Sequence, residues 1–185
     1  MKINELVKEA FAVLKKNTIL IAPSIIATLI TSILGVSLTG MRFNEHMYGR
    51  FMLVGLVGFI LHALSVCIIL SMAMDSLGGS QPLFSRALKK SLSRFFDILI
   101  ATLIISLLAA LGAMFFIIPS LLVFCVFMFT YVAIMEEGLS ALDALKESYR
   151  TVRANLSATV TLFIILLGIA LSVQLIEIFF AMFRF

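Results

Sequence analysis

Residues 98–135 read ILIATLIISLLAALGAMFFIIPSLLVFCVFMFTYVAIM, 38 residues without one Asp, Glu, Lys or Arg. A helix that crosses a bilayer needs roughly 17–25 apolar residues, so this run is too long for one crossing. Pro119 stands near its middle, after Ile117 and Ile118 and before Ser120. Proline lacks a backbone N–H and disfavours helix in the residue before it. The run therefore predicts two antiparallel helices, about 97–117 and 120–135, joined by a very tight turn. Three further runs without charge, 17–41, 51–74 and 154–176, each have the length of one crossing. Five crossings are expected. The last run can continue through Gln174 and Glu177, since no Lys or Arg follows until Arg184. Such a helix exceeds the bilayer thickness, so it tilts, protrudes or breaks near Gly168 and folds back.

Composition excludes a water-soluble domain. Hydrophobic residues make up 62% of the 185 and charged ones 13%, with mean hydropathy +1.18. Soluble domains carry about 25% charged residues, and one of this size still leaves roughly 30% of its unfolded surface in water. Disorder is excluded by the same numbers, because it requires low hydrophobicity. The N-terminal Met1–Leu6 is not expected to be a signal peptide, because Glu5 and Glu9 interrupt the basic region and no A-x-A-like site follows. Cys67 and Cys125 lie inside apolar runs, outside any metal-ligand spacing, and are expected to be packing residues.

The net charge is +4 and the pI near 9.3. The basic residues fall between the apolar runs, where anionic lipid rather than nucleic acid is the expected partner. One side of the bundle would hold Lys2, Lys8, Lys15, Lys16, Arg86, Lys89, Lys90, Arg94, Lys146, Arg150 and Arg153; the other would hold Arg42, Arg50 and Arg184. Eleven against three predicts a cytoplasmic N-terminus in the cytoplasmic membrane.

The basic segments carry helical periodicity. Ile3, Leu6, Val7, Ala10, Phe11 and Leu14 form one apolar stripe. Phe84, Ala87, Leu88, Leu92 and Phe95 form a second, with Pro82 suited to the first helical position. Leu142, Leu145, Tyr149 and Val152 form a third, with Ser140 as N-cap and Asp143 three residues on. The segments also align with one another: Val7, Lys8 and Glu9 with Leu145, Lys146 and Glu147, and Asn17 with Asn155. The expected fold is all-α, a polytopic transmembrane bundle with about five spans and three cytoplasmic interfacial amphipathic helices in a parallel repeat. It forms a single domain, 1–185, with units of about 1–77, 80–136 and 138–185.

The stretch from Ala141 to Asn155, ALDALKESYRTVRAN, follows a span opened by Ile118 and Pro119 and closed by Glu136, Glu137 and Gly138. It resembles the membrane domain attached to some glycerophosphoryl diester phosphodiesterases and related bacterial and archaeal membrane families of unknown function. Those share an Ala-Leu-(Lys/Arg)-x-Ser-aromatic pattern ending in Asn. The likeness is strongest over 117–167 and weaker from Ile3 onward. This chain has one crossing in its last unit and no phosphodiesterase domain, so the resemblance implies fold and topology and imports no catalysis.

Within the apolar runs, His62 is the ionisable group nearest a span centre, and Gln174 and Glu177 share a face of the last helix. These three form a candidate intramembrane polar site, because ionisable groups are costly in hydrocarbon. A neutral His62 bonded to a carbonyl, with Glu177 at the interface, is the structural alternative. Asp75 and Asp97 are expected as interfacial caps, and Asn17 and Asn155 as caps where surface helix turns into span. Small residues Ala109 and Ala113, and Gly168 and Ser172, are spaced for close helix approach. No phosphate-binding Gly-Lys loop, HExxH, GxSxG or CxxC occurs, and His46 with Glu45 offers too few ligands for a metal. The chain is therefore expected to be non-enzymatic, without cofactor, metal or nucleic acid. It would be a scaffold or the membrane subunit of a larger assembly, with a protein partner or as a homo-oligomer. Lipid head groups would meet Lys8, Lys15, Lys16, Arg86, Lys89, Lys90, Arg94, Lys146, Arg150 and Arg153. The alternative is a small transporter or channel with a polar path at His62, Gln174 and Glu177.

Overall fold

The computed structural model describes residues 3–39 and 47–182. Lys2, Arg42, Glu45, His46 and Arg184 lie outside the described residues, as do the side chains of Ile3, Leu6, Val7, Phe11 and Glu177. Every regular element is helical. Helix α1 (Ile3–Lys16) leads through a 3-10 turn (Thr18–Ile21) into α2 (Ala22–Thr39). Then follow α3 (Met47–Leu77), α4 (Phe84–Ser93), α5 (Phe95–Phe115), α6 (Ile117–Val126), the short α7 (Thr130–Val132), a π turn (Ala133–Glu137), α8 (Ala141–Ala154) and α9 (Leu156–Met182).

Five stretches are long and apolar enough to cross a membrane: Thr18–Ser37, Gly49–Leu77, Phe95–Phe115, Ile117–Glu137 and Leu156–Ile176. The surface supports a lipid solvent as well. It measures 13026 Å², against about 8,800 Å² for a compact soluble monomer of this mass. Much of the excess is apolar, including Met114, Phe115, Phe116, Ile117 and Ile118, each 70% or more exposed at the α5–α6 tip. The last run is one unbroken helix of 27 residues, about 40 Å long. Gly168 does not break it, and the fold-back alternative is set aside.

The hairpin turns three residues earlier than expected. Phe116, with φ −165° and ψ 162°, is the one extended residue between α5 and α6. Pro119 then sits in the first turn of α6, where an N–H has no intrahelical acceptor and its loss costs nothing. The two helices touch backbone to backbone at Gly112, whose ideal Cβ position lies 2.9 Å from the Ser120 nitrogen. Ala109 is buried beside this contact while Ala113 is exposed. At Gly168 a Cβ would meet nothing. Among the described residues, then, the predicted Gly168 and Ser172 pair makes no close helix contact.

The second limb of the hairpin is not one continuous helix. Its path breaks at residues 127–129, and the buried Ser148 hydroxyl fills the break. It donates to the Val126 carbonyl at 2.8 Å and accepts from the Phe129 N–H at 3.2 Å. Two backbone groups that would be orphaned in an apolar setting thereby gain partners.

The core gathers at the polar end of the bundle, around the second half of α3. Ala63 and Cys67 pack with Ile98 and Ala101 of α5, with Ala133, Ile134 and Met135 of the π turn, and with Ala141 and Ala144 of α8. On the other side of α3, Ile68 and Met72 meet Leu20 and Ala87. Small residues dominate, as they must where close van der Waals packing holds helices together in lipid. Helix α9 leans on α6 and α8, and Thr159 is its one buried side chain among the described residues.

Candidate functional site

Two groups of residues carry chemistry. The first surrounds His62, midway along α3. Helices α2 and α3 cross closely at Gly58, where a Cβ would stand 3.1 Å from the Thr31 methyl. Beside that crossing a cavity of about 340 Å³ is lined by Thr28, Thr31, Gly55, Gly58 and His62. On the other side of His62 a cavity of about 270 Å³ is lined by Thr102, Ser106 and Tyr131 among apolar side chains. The Thr102 hydroxyl donates to the Ile98 carbonyl at 2.6 Å. That uses its only proton, so Tyr131 is the donor in the 2.9 Å contact between the two hydroxyls.

His62 thus forms a wall common to two largely apolar pockets that carry a few hydroxyl groups. Neither is lined by a carboxylate, so they offer hydrogen bonding rather than a histidine–carboxylate relay. Gln174 is exposed on α9 and lines neither pocket. Sequence reasoning missed Thr28, Thr31, Ser106 and Tyr131, because single hydroxyls in apolar runs carry no motif. No group of three metal-ligating side chains occurs among the described residues.

The second group lies at the polar end, where α1, α4 and α8 attach to the ends of α2, α3, α5 and α9. Each attachment has an identifiable bond. The Asn17 amide donates to the Ser76 hydroxyl at 2.6 Å, tying the end of α1 to the end of α3. Asn17 therefore makes no side-chain cap to the helix it precedes, which corrects the expectation. Asn155 bonds back to the Thr151 carbonyl at 3.2 Å and closes α8. The Asp97 carboxylate accepts from the Ala141 N–H at 3.1 Å, so it caps α8, a helix 44 residues downstream, beside its own 3.8 Å ion pair with Arg94. Lys90 reaches Glu136 at 2.8 Å, and the Arg94 guanidinium lies against Gly138, whose φ of +67° suits glycine. Lys90 and Arg94 are thus engaged within the protein. Lys8, Lys15, Lys16, Arg86, Lys89, Lys146, Arg150 and Arg153 are exposed.

Two stripes are divided differently from their sequence pattern. Helix α4 starts at Phe84, two residues after Pro82, and ends at Ser93, so Phe95 belongs to α5. Helix α8 turns Ala141, Ala144, Leu145, Ser148 and Val152 inward. Leu142 and Tyr149, read as members of the same apolar stripe as Leu145 and Val152, are 58% and 50% exposed. The helix packs through its small residues because Ser148 must reach the break between α6 and α7.

The start of α8 is a capping arrangement. The Ser140 hydroxyl accepts from the Asp143 N–H at 3.4 Å and donates to the Asp143 carboxylate at 2.8 Å. That bond first, and Lys146 at 3.3 Å second, hold the Asp143 carboxyl below its ordinary 3.8. A depressed folded value means the stabilisation is complete above the unfolded value and is lost as pH falls through the lowered one. Amide protection in the first turn of α8 is therefore expected to be flat above pH 3.8 and to decline below it. In Asp143→Asn that decline is expected to disappear, which hydrogen exchange across the acid range would measure.

No curated protein and no solved structure matches the chain. Residues 98–185, a little under half of it, match a family model described as a domain of unknown function, DUF7847. The matched part runs from α5 through α9 and so takes in the proline-bearing hairpin, the π turn and α8.

Proposed function

We propose that this is a non-enzymatic integral membrane protein, a scaffold or the membrane subunit of a larger assembly. Its helices α1, α4 and α8 act as amphipathic anchors, repeated in parallel along the cytoplasmic interface. The observation that carries this reading is the gathering of eight exposed cations on three helices bonded to the same end of the bundle. Exposed Leu14, Leu92, Leu142 and Tyr149 on those helices add apolar surface suited to the acyl boundary. Each cation near an anionic leaflet contributes about 1 kcal/mol, which favours the orientation with that end inward.

The test is cysteine accessibility in intact cells and in inverted vesicles. Lys89→Cys and Lys146→Cys are expected to react with a membrane-impermeant maleimide only in inverted vesicles. Changing Lys15, Lys16, Lys89, Lys146, Arg150 and Arg153 together to Gln is expected to yield mixed orientations. Labelling of either cysteine from outside intact cells would defeat the reading.

The two pockets that meet at His62 favour a second reading, a small transporter or channel with a polar path at His62. Proteoliposome flux that depends on pH and is abolished by His62→Leu would favour it. Equal flux in His62→Leu and the parent protein would dismiss it.

A further inference from the structure

We propose that the groove along the outer face of α8 binds a single anionic glycerophospholipid, a site more specific than general attraction to the leaflet. The proposal rests on the cationic-face reading above. The groove holds about 860 Å³ and is lined by apolar Phe127, Leu139, Leu142, Leu145 and Tyr149 together with charged side chains of α8. Lys146 and Arg153 share the face of Leu142 and Tyr149, at spacings of four, seven and eleven residues from Leu142. The groove is therefore charged along one helix and apolar toward Phe127, which follows α6 midway along a candidate span. A ligand that fits both parts has an anionic head and an acyl tail.

Charge narrows the class. Lys146 is paired with Asp143 at 3.3 Å and Arg150 with Glu147 at 3.6 Å. Arg153, in the last turn of α8, has Tyr149 and Arg150 at its helical neighbour positions, neither of them acidic. Three cations against two carboxylates leave one positive charge, which matches a phosphodiester monoanion. A polyanionic head or an acidic peptide would meet Asp143 and Glu147 on the rim. Arg153 takes the phosphodiester, Lys146 assists, and the first acyl carbons lie over Leu142, Tyr149 and Phe127.

The test is native mass spectrometry of the detergent-solubilised full chain with dioleoyl phosphatidylglycerol or dioleoyl phosphatidylcholine. The parent protein is expected to retain one phosphatidylglycerol in preference to phosphatidylcholine. The pair Lys146→Gln with Arg153→Gln is expected to lower that retention about tenfold, the scale of one lost charge-assisted hydrogen bond. Lys15→Gln with Lys89→Gln, an equal change of charge elsewhere, is expected to leave it unchanged. Leu142→Asn is expected to weaken phosphatidylglycerol binding too, and inorganic phosphate should compete poorly because it lacks a tail. All five positions are exposed, so the fold should survive. Equal losses from the two charge pairs would overturn the groove site while leaving the cationic anchor intact. Effective competition by inorganic phosphate would also overturn it. No lipid preference in the parent protein would overturn both readings.

Discussion

Gly112→Ala is expected to loosen the α5–α6 hairpin and lower the midpoint of unfolding in mixed micelles. The added Cβ would stand 2.9 Å from the Ser120 nitrogen and 3.1 Å from the Pro119 carbonyl carbon. Both neighbours are backbone, so no rotamer change can make room, and the helices must part. Overpacking of this kind costs about 1–3 kcal/mol, and Gly112→Val should cost more. The matched control is Gly168→Ala on α9, where the new methyl meets nothing within 4 Å. There the better helix propensity of alanine should leave stability unchanged or raise it, by up to about 1 kcal/mol. The two glycines sit in equally apolar helices, so opposite signs would establish that the close approach is made at Gly112. An unchanged midpoint in Gly112→Ala would refute it.

Ser148→Ala is expected to be the most damaging single-atom deletion in α8. Its hydroxyl satisfies the Val126 carbonyl and the Phe129 N–H at a break that water reaches poorly, since Ser148 is 1% exposed. Removing it leaves a part-buried acceptor and a part-buried donor without that partner, at up to about 3 kcal/mol for each group were it fully buried and less here. The expected loss is about 2–4 kcal/mol, with faster amide exchange at Phe129 than at Ala133. Thr151→Ala, one turn away on the same helix and only partly buried, should cost far less. Equal exchange rates at Phe129 in Ser148→Ala and the parent protein would show that the hydroxyl does not bridge the break.

These two sites mark the boundary of what could be read in advance. The five helices long and apolar enough to cross a membrane were legible because that property depends on each run's own length and composition. The Ser140 cap with Asp143 was legible because capping acts within one turn. His62 stood out because an ionisable group in an apolar run is conspicuous by itself. Its hydroxyl neighbours did not, since Thr31, Ser106 and Tyr131 come from three other helices and are separated from it by 31, 44 and 69 residues. The likeness between Ser148 and any other helical serine hid its role for the same reason: the gap it fills lies 22 residues upstream.

Sequence by itself determined the apolar character of this protein, the number of its long apolar helices and the placement of its cations at helix-forming segments between them. These are sums over neighbouring residues, and burial or exposure elsewhere does not alter them. Tertiary structure decided where the hairpin turns, which face of α8 points inward, and which of Lys90, Arg94 and Asp97 is held by a partner. Each of those outcomes depends on what a distant segment brings within a few ångströms. Proline at 119 permits a turn anywhere nearby, and only the backbone contact of Gly112 with Ser120 selects Phe116 as the turning residue.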